Sequence, residues 1–285
     1  MLLLNFNDYG TKIIAIVKTN ILTIKNLITM AQIQWGTKTP GHIIYLIDQS
    51  GSMSGANEQK SAESITSAMI ETLKGCIQGK EVRNRVYITI IGYGNENGVS
   101  IVKEGWIADF VNDLQMCKKN STTIIPAKSY GMTPMAEAFA LANKCITTWL
   151  SQRESVQGDY KIPAPIVINI TDGYPDDVNG ATEEAQKVMN ILTRDDGNVL
   201  VFNIHMDDSV DQVEIKFPTT KSVLNGVPEG EFLYDISSEM TPDFIKAAQA
   251  QKFEGIVPGS KGFVVNAKGD TLVRFVTFGS GVSQH

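Results

Sequence analysis

Asp48, Ser50 and Ser52 stand two residues apart around Gly51, directly after the apolar run Ile43-Ile44-Tyr45-Leu46-Ile47. The run is too short for a helix of its own. Bounded upstream by Pro40-Gly41, it reads as a strand buried on both faces. If the chain stays extended past the strand, alternate side chains point the same way. One carboxylate and two hydroxyls then converge at the strand's carboxyl end. Oxygens of this kind suit a small hard cation such as Mg2+, which takes oxygen ligands in octahedral geometry. In an open α/β sheet, that edge is also where ligands bind.

Other chemistries fit these residues less well. A metal beside carboxylates can activate water for phosphate chemistry, but the first strand lacks the paired aspartates of haloacid-dehalogenase-type phosphatases. No nucleophile elbow is present, since the positions two before and two after Ser52 are Ser50 and Ser54. No Gly-rich phosphate loop of the P-loop type occurs. His42, His205 and His285 read as structural or exposed residues rather than bases.

The segment Asp48-x-Ser50-x-Ser52 resembles the first part of the metal-ion-dependent adhesion site of von Willebrand factor A domains. That resemblance implies two further pieces, a threonine on one loop and an aspartate after a later strand. Thr133 in Gly131-Met132-Thr133-Pro134 and Asp172 in Ile166-Val167-Ile168-Asn169-Ile170-Thr171-Asp172-Gly173 stand in that order. The resemblance implies that Ser50, Ser52 and Thr133 offer hydroxyls directly to Mg2+ or Mn2+. Asp48 and Asp172 then act partly through waters and hydroxyls. Neutral hydroxyls leave much of the cation's charge uncompensated, so an open position attracts a Glu or Asp of a protein partner.

The implied function is metal-dependent protein–protein interaction rather than an enzyme. The Ile-Thr-Asp-Gly segment resembles the bacterial cytosolic branch of the family, which includes tellurite-resistance-type proteins. This implies a cytoplasmic adaptor in a stress or signalling system with kinase or phosphatase partners. One alternative is a subunit that docks an AAA+ ATPase, as in chelatase systems; another is a metal-assisted phosphohydrolase.

Composition narrows the field further. The 285 residues suffice for one large α/β domain or two small ones, and a net charge of −6 argues against a nucleic-acid partner. Apolar stretches in the first thirty residues are interrupted by Asn, Asp and Lys and fall below the roughly twenty residues a membrane helix needs. Neither a signal peptide nor a membrane partner is expected. Cys76, Cys117 and Cys145 show no metal-type spacing and suit a reducing compartment.

The elements that must position these residues alternate. Periodicity predicts helices from Ser54 to about Gly75, over 135–150, over 180–193 and from Thr241 to about Lys252. Strands are expected over 85–92, 166–171, 199–205 and 231–236, with an antiparallel edge strand over 99–103. A short helix is expected near 106–110, and residues 112–132 read as an irregular loop carrying Thr133. The pattern implies a doubly wound, mostly parallel sheet flanked by helices. Residues 1–39 are expected as an extension outside the fold, with a hairpin or helix packed on it as the alternative, and 40–255 as the domain. Residues 256–285 read as a terminal hairpin or a tail packing back on it. Asp176-Asp177 and Asp207-Asp208 read either as added negative potential near the ion or as ordinary turn residues. Tyr93 and Tyr174, at strand ends, are placed to reach a bound peptide.

Overall fold

The computed structural model describes residues 33–156, 158, 160–207, 213–224 and 227–279. Residues 1–32 of the extension expected over 1–39 lie outside the described residues, as do Asp208 and His285. A seven-stranded sheet forms the centre. Its strands are β1 (Gly41–Asp48), β2 (Val86–Asn95), β3 (Gly98–Trp106), β4 (Ile166–Thr171), β5 (Leu200–His205), β6 (Ile215–Lys216) and β7 (Phe263–Val265). Their spatial order is β6-β7-β5-β4-β1-β2-β3. The five inner strands run parallel; β3 at one edge and the two-residue β6 at the other run antiparallel. This is the doubly wound α/β architecture the alternating pattern implies.

Helices cover both faces: α1 (Ala56–Cys76), α2 (Val111–Asn120), α3 (Met135–Glu154), α4 (Val178–Met189), α5 (Pro228–Asp235), α6 (Pro242–Ala250) and α7 (Gly269–Gly279). Every residue of β1 is buried, because its side chains serve two cores in alternation. Ile43, Tyr45 and Ile47 pack with Ile65 and Met69 of α1 and Phe275 of α7. Ile44 and Leu46 pack with Phe139 and Ala142 of α3 and Ala181 of α4. A strand apolar on both faces is thus held from both sides, which explains its uninterrupted hydrophobic run. Before the sheet, Ile33 donates its N–H to Asp196 Oδ1 at 2.9 Å and Trp35 lies against Gly41.

Two stretches depart from the expectations, and a third follows one of two alternatives. Residues 231–236 are not a strand; 231–235 belong to helix α5, with Ile236 as its C-cap, and the helix opens with Pro228 and carries Glu229 and Glu231 in its first turn. Proline at the start and acids near the positive helix end favour helix over the β-like Phe-Leu-Tyr composition. Residues 111–120 form α2 rather than loop; only Leu114 and Cys117 are buried, one turn apart, and Lys118 and Lys119 sit in the last turn. The polarity that suggested loop is the solvated face of a half-exposed helix. At the C-terminus the described residues follow the second of the two readings, a tail packed back on the domain, rather than the hairpin. Phe263–Val265 joins the sheet beside β5 in parallel, and 269–279 is a helix with Leu272, Phe275 and Val276 buried. Spacing of three and four residues outweighs the β-branched composition there.

At the sheet end remote from Asp48, His42 is buried between the rings of Tyr87 and Trp149, with centroids at 5.3 and 5.1 Å. Its Nε2 lies 2.9 Å from Thr89 Oγ1, and its Nδ1 has no partner among the described residues. A second proton would therefore be buried without an acceptor. Burial lowers the pKa from 6.5 to about 3. With a folded pKa below the unfolded one, this residue favours the fold above about pH 6.5 and progressively disfavours it as pH falls towards 3. By pH 5 the loss reaches about 2 kcal/mol. Urea unfolding at pH 7.5 and 5 should show that loss in the wild-type chain and a smaller one in His42→Gln. Equal acid slopes in the two proteins would contradict it.

Candidate metal centre

The strand order reverses beside β1: the chain passes from β1 to β2 on one side, then returns to place β4 on the other. A crevice opens at such a reversal, outside the carboxyl ends of the strands. Asp48 ends β1, and Asp172 immediately follows β4. The topology thus brings the two carboxylates to one edge from positions 124 residues apart in sequence.

A chain of hydrogen bonds links them. Asp48 Oδ1 accepts from the Ser50 backbone N–H at 2.8 Å. Ser50 Oγ lies 3.0 Å from Ser52 Oγ, and Ser52 Oγ donates to Asp172 Oδ1 at 2.8 Å. Asp48 and Ser50 are buried, Asp172 is half-buried and Ser52 is exposed. The cluster therefore opens to solvent on its Ser52 side.

Thr133 reaches the edge on a different loop. The Ser50 segment forms a single parallel bridge to Tyr130. Tyr130 N–H donates to Gln49 O at 2.8 Å, and Gly51 N–H donates to Gly131 O at 3.1 Å. The far side of the loop is fixed to the segment after Asp172: Thr133 N–H donates to Asp176 Oδ1 at 3.0 Å, and Asp176 N–H to Thr133 O at 3.1 Å. Thr133 is itself buried and immediately precedes Pro134 and α3. Three segments of the chain are thus tied together by their own peptide groups.

Gly94 makes this approach possible. It adopts φ +84°, a conformation side chains rarely take. A Cβ there would lie 2.5 Å from Met132 O and 2.8 Å from Ser50 N. The site is built around a missing side chain.

The electrostatics test whether a cation fits. Burial pushes Asp48 up to about 6, against the opposing hydrogen bonds from Ser50 and Thr171 and with Asp172's charge adding to the rise. Burial raises Asp172 as well, opposed first by the Ser52 hydroxyl. Among the described residues neither carboxylate forms an ion pair with Lys or Arg. Negative charge is therefore held in a poorly solvated place with no Lys or Arg paired to it among the described residues; His205, the neighbouring base, is itself pushed towards its neutral form by burial. No group of three or more His, Cys, Asp or Glu side chains comes together among the described residues, so the donors are two carboxylates and hydroxyls. An oxygen-only set with a net negative charge fits a hard divalent cation.

Several supporting residues carried no clear sequence signal. Thr171 Oγ1 donates to Asp48 Oδ2 at 2.5 Å, so both oxygens of that carboxylate are engaged. Gln49 is clasped through Asn95 Nδ2 at 2.6 Å. Beneath the site, Tyr93 Oη donates to Asn169 Oδ1 at 2.8 Å, and Asn169 Nδ2 donates to Asn203 Oδ1 at 2.9 Å. Asn203 Nδ2 in turn donates to Ser237 Oγ at 2.9 Å and Ile236 O at 3.1 Å. Tyr93 is fully buried, so it supports the floor and does not face a bound peptide. Asp176 holds the Thr133 loop, and Asp177 caps α4 by accepting from Gly180 N–H at 2.9 Å; both carboxylates serve local structure. His205 is buried beside Asn266, with Nδ1 3.1 Å from Oδ1.

Neither the protein-family models nor the curated protein sequences give a match to this chain. Solved structures do. The open conformation of the pilus adhesin SpaC from Lactobacillus rhamnosus GG aligns at a TM-score of 0.50 and 12% identity, over 85% of this chain and 30% of that one. Manganese-loaded TRAP protein of Plasmodium vivax aligns at 0.38 and 16%, over 64% of each chain. The vWF domain of the type V pili tip protein Mfa5 from Porphyromonas gingivalis aligns at 0.34 and 18%, over 48% and 39%. This chain spans less than two thirds of each of these structures. At these identities the likeness is one of fold: an α/β, mostly parallel sheet covered by helices on both faces.

Proposed function

We propose that this chain is a metal-dependent protein-interaction module. A divalent cation, Mg2+ or Mn2+, is held by Asp48, Ser50, Ser52, Thr133 and Asp172, and a protein partner supplies a Glu or Asp side chain to it. The observation that carries this reading is the hydrogen-bonded line from Asp48 through Ser50 and Ser52 to Asp172, closed over by the Thr133 loop. When bound, the cation supplies an open coordination position for a carboxylate. The chain's own part is to fix the hydroxyls, shield Asp48 from water and leave the Ser52 side open. Engagement of both Asp48 oxygens and enclosure of His205 leave neither as a ready base, which favours binding over turnover.

The test uses the ions alone. Mg2+ or Mn2+ at about one hundred times its Kd should stabilise the chain by about 2.7 kcal/mol, read as a rise in melting temperature that EDTA reverses. Asp172→Ala and Thr133→Ala should abolish most of that rise. An ion effect absent from the wild-type chain, or undiminished in both variants, would overturn the reading. The narrower role, a bacterial cytoplasmic adaptor with kinase or phosphatase partners, rests on the Ile170-Thr171-Asp172-Gly173 segment. An AAA+ ATPase is the alternative partner, and purification of bound proteins in Mg2+ against EDTA distinguishes the two.

A further inference from the structure

Among the described residues, twelve large apolar side chains are exposed; three of them lie on the two loops that carry Thr133 and Asp172, and a fourth, Val178, opens helix α4 directly after the second loop. Tyr130 is 67% exposed, Met132 68%, Tyr174 41% and Val178 41%. The two loops are joined by the paired bonds between Thr133 and Asp176, so these side chains belong to one bonded unit beside the Ser52 opening. Tyr174 is further braced by Phe232, with ring centroids 6.2 Å apart. Large apolar groups gathered on loops at a ligand-binding edge mark an interaction surface.

The charges on the same loops restrict the partner. Residues 48–58, 126–134 and 171–180 contain a single basic residue, Lys128, and it pairs with Glu96 at 3.4 Å. The same segments hold Asp48, Glu58, Asp172, Asp176 and Asp177. An incoming chain with several acids would meet repulsion everywhere except at the cation. An apolar flank meets Tyr130, Met132 and Tyr174 instead. We infer that the partner presents a single carboxylate flanked by aromatic or aliphatic side chains, the carboxylate completing the ion's shell and its neighbours packing on these loops. This rests on the metal-dependent reading above.

The probes are three fluorescent peptide sets in Mg2+, each with one central Glu or Asp: one with Phe, Leu and Tyr flanks, one with Ser and Gly flanks, one with further acids. Binding is read by polarisation. The apolar-flanked set should bind at least tenfold tighter than either other set, and EDTA should remove that binding. Met132→Ser combined with Tyr174→Ser should weaken it at least tenfold, while the Mg2+-induced rise in melting temperature stays as in the wild-type chain. Equal binding of apolar and Ser/Gly flanks, no loss in the double variant, or no binding by any set despite a normal Mg2+ effect would overturn the inference alone. Loss of the Mg2+ effect in the wild-type chain would overturn the reading beneath it.

Discussion

Alanine at Gly94 should destabilise the chain by roughly 3 kcal/mol and remove its response to divalent cations. Two costs add. A side chain at φ +84° carries strain of about 1–2 kcal/mol. Its Cβ would also press on Met132 O and Ser50 N, both main-chain atoms, and relieving such crowding costs about 1–3 kcal/mol. The only relief is to part the Ser50 and Met132 segments, which spreads the oxygen cluster. Gly98 is the control: φ is +71°, yet no atom lies within 4 Å of a Cβ there, so alanine should cost strain alone and spare the cation response. For a chain of this length the Gly94 loss corresponds to roughly 6–10 °C in Tm. Similar losses at both glycines would show that close approach of the loops contributes little.

Leucine at Asn203 should cost about 3 kcal/mol or more. The amide is fully buried and joins three elements: it accepts from Asn169 and donates to Ile236 O and Ser237 Oγ. Leucine is close in volume, so the cost lies in what is stranded. Asn169 Nδ2 keeps only a 3.8 Å contact to Met135 Sδ, and Ile236 O loses its side-chain donor. Each orphaned buried group costs about 1–3 kcal/mol. The damage should reach the site, because Asn169 also accepts from Tyr93, which pairs in register with Asp48. Chemical denaturation of Asn203→Leu checks this. A loss under 1 kcal/mol with an unchanged denaturant slope would mean that water or a shifted amide replaces these bonds.

Much of the arrangement could be read before any coordinates, and the reasons are local. Five consecutive apolar residues ending in alternate oxygens identify a buried strand and its exit, because strand geometry has period two. The helix beginning after Pro134 follows from spacing of its buried residues. The two departures share a cause: β-branched and aromatic content in 231–236, and polarity in 111–120, describe surfaces rather than the partner each segment meets. Helix α7 forms because Leu272, Phe275 and Val276 find the α1 face of the core, which no single segment announces. Gly94 hid within Gly92-Tyr93-Gly94, which looks like any strand end. Asn169 and Asn203 were visible as lone amides in apolar strands, but their opposition in register depends on which strands become neighbours.

The peptide-to-peptide ties at Gln49–Tyr130, Gly51–Gly131 and Thr133–Asp176 have one more consequence. Main-chain donors and acceptors are supplied by almost any residue, so these three ties do not depend on the side chains carried at Tyr130 and Met132. Tyr130 and Met132 can therefore be exchanged widely without disturbing the frame that presents the hydroxyls. Such a scaffold can change what it recognises while keeping how it grips, and its primary structure is free to drift far from that of other proteins with the same fold.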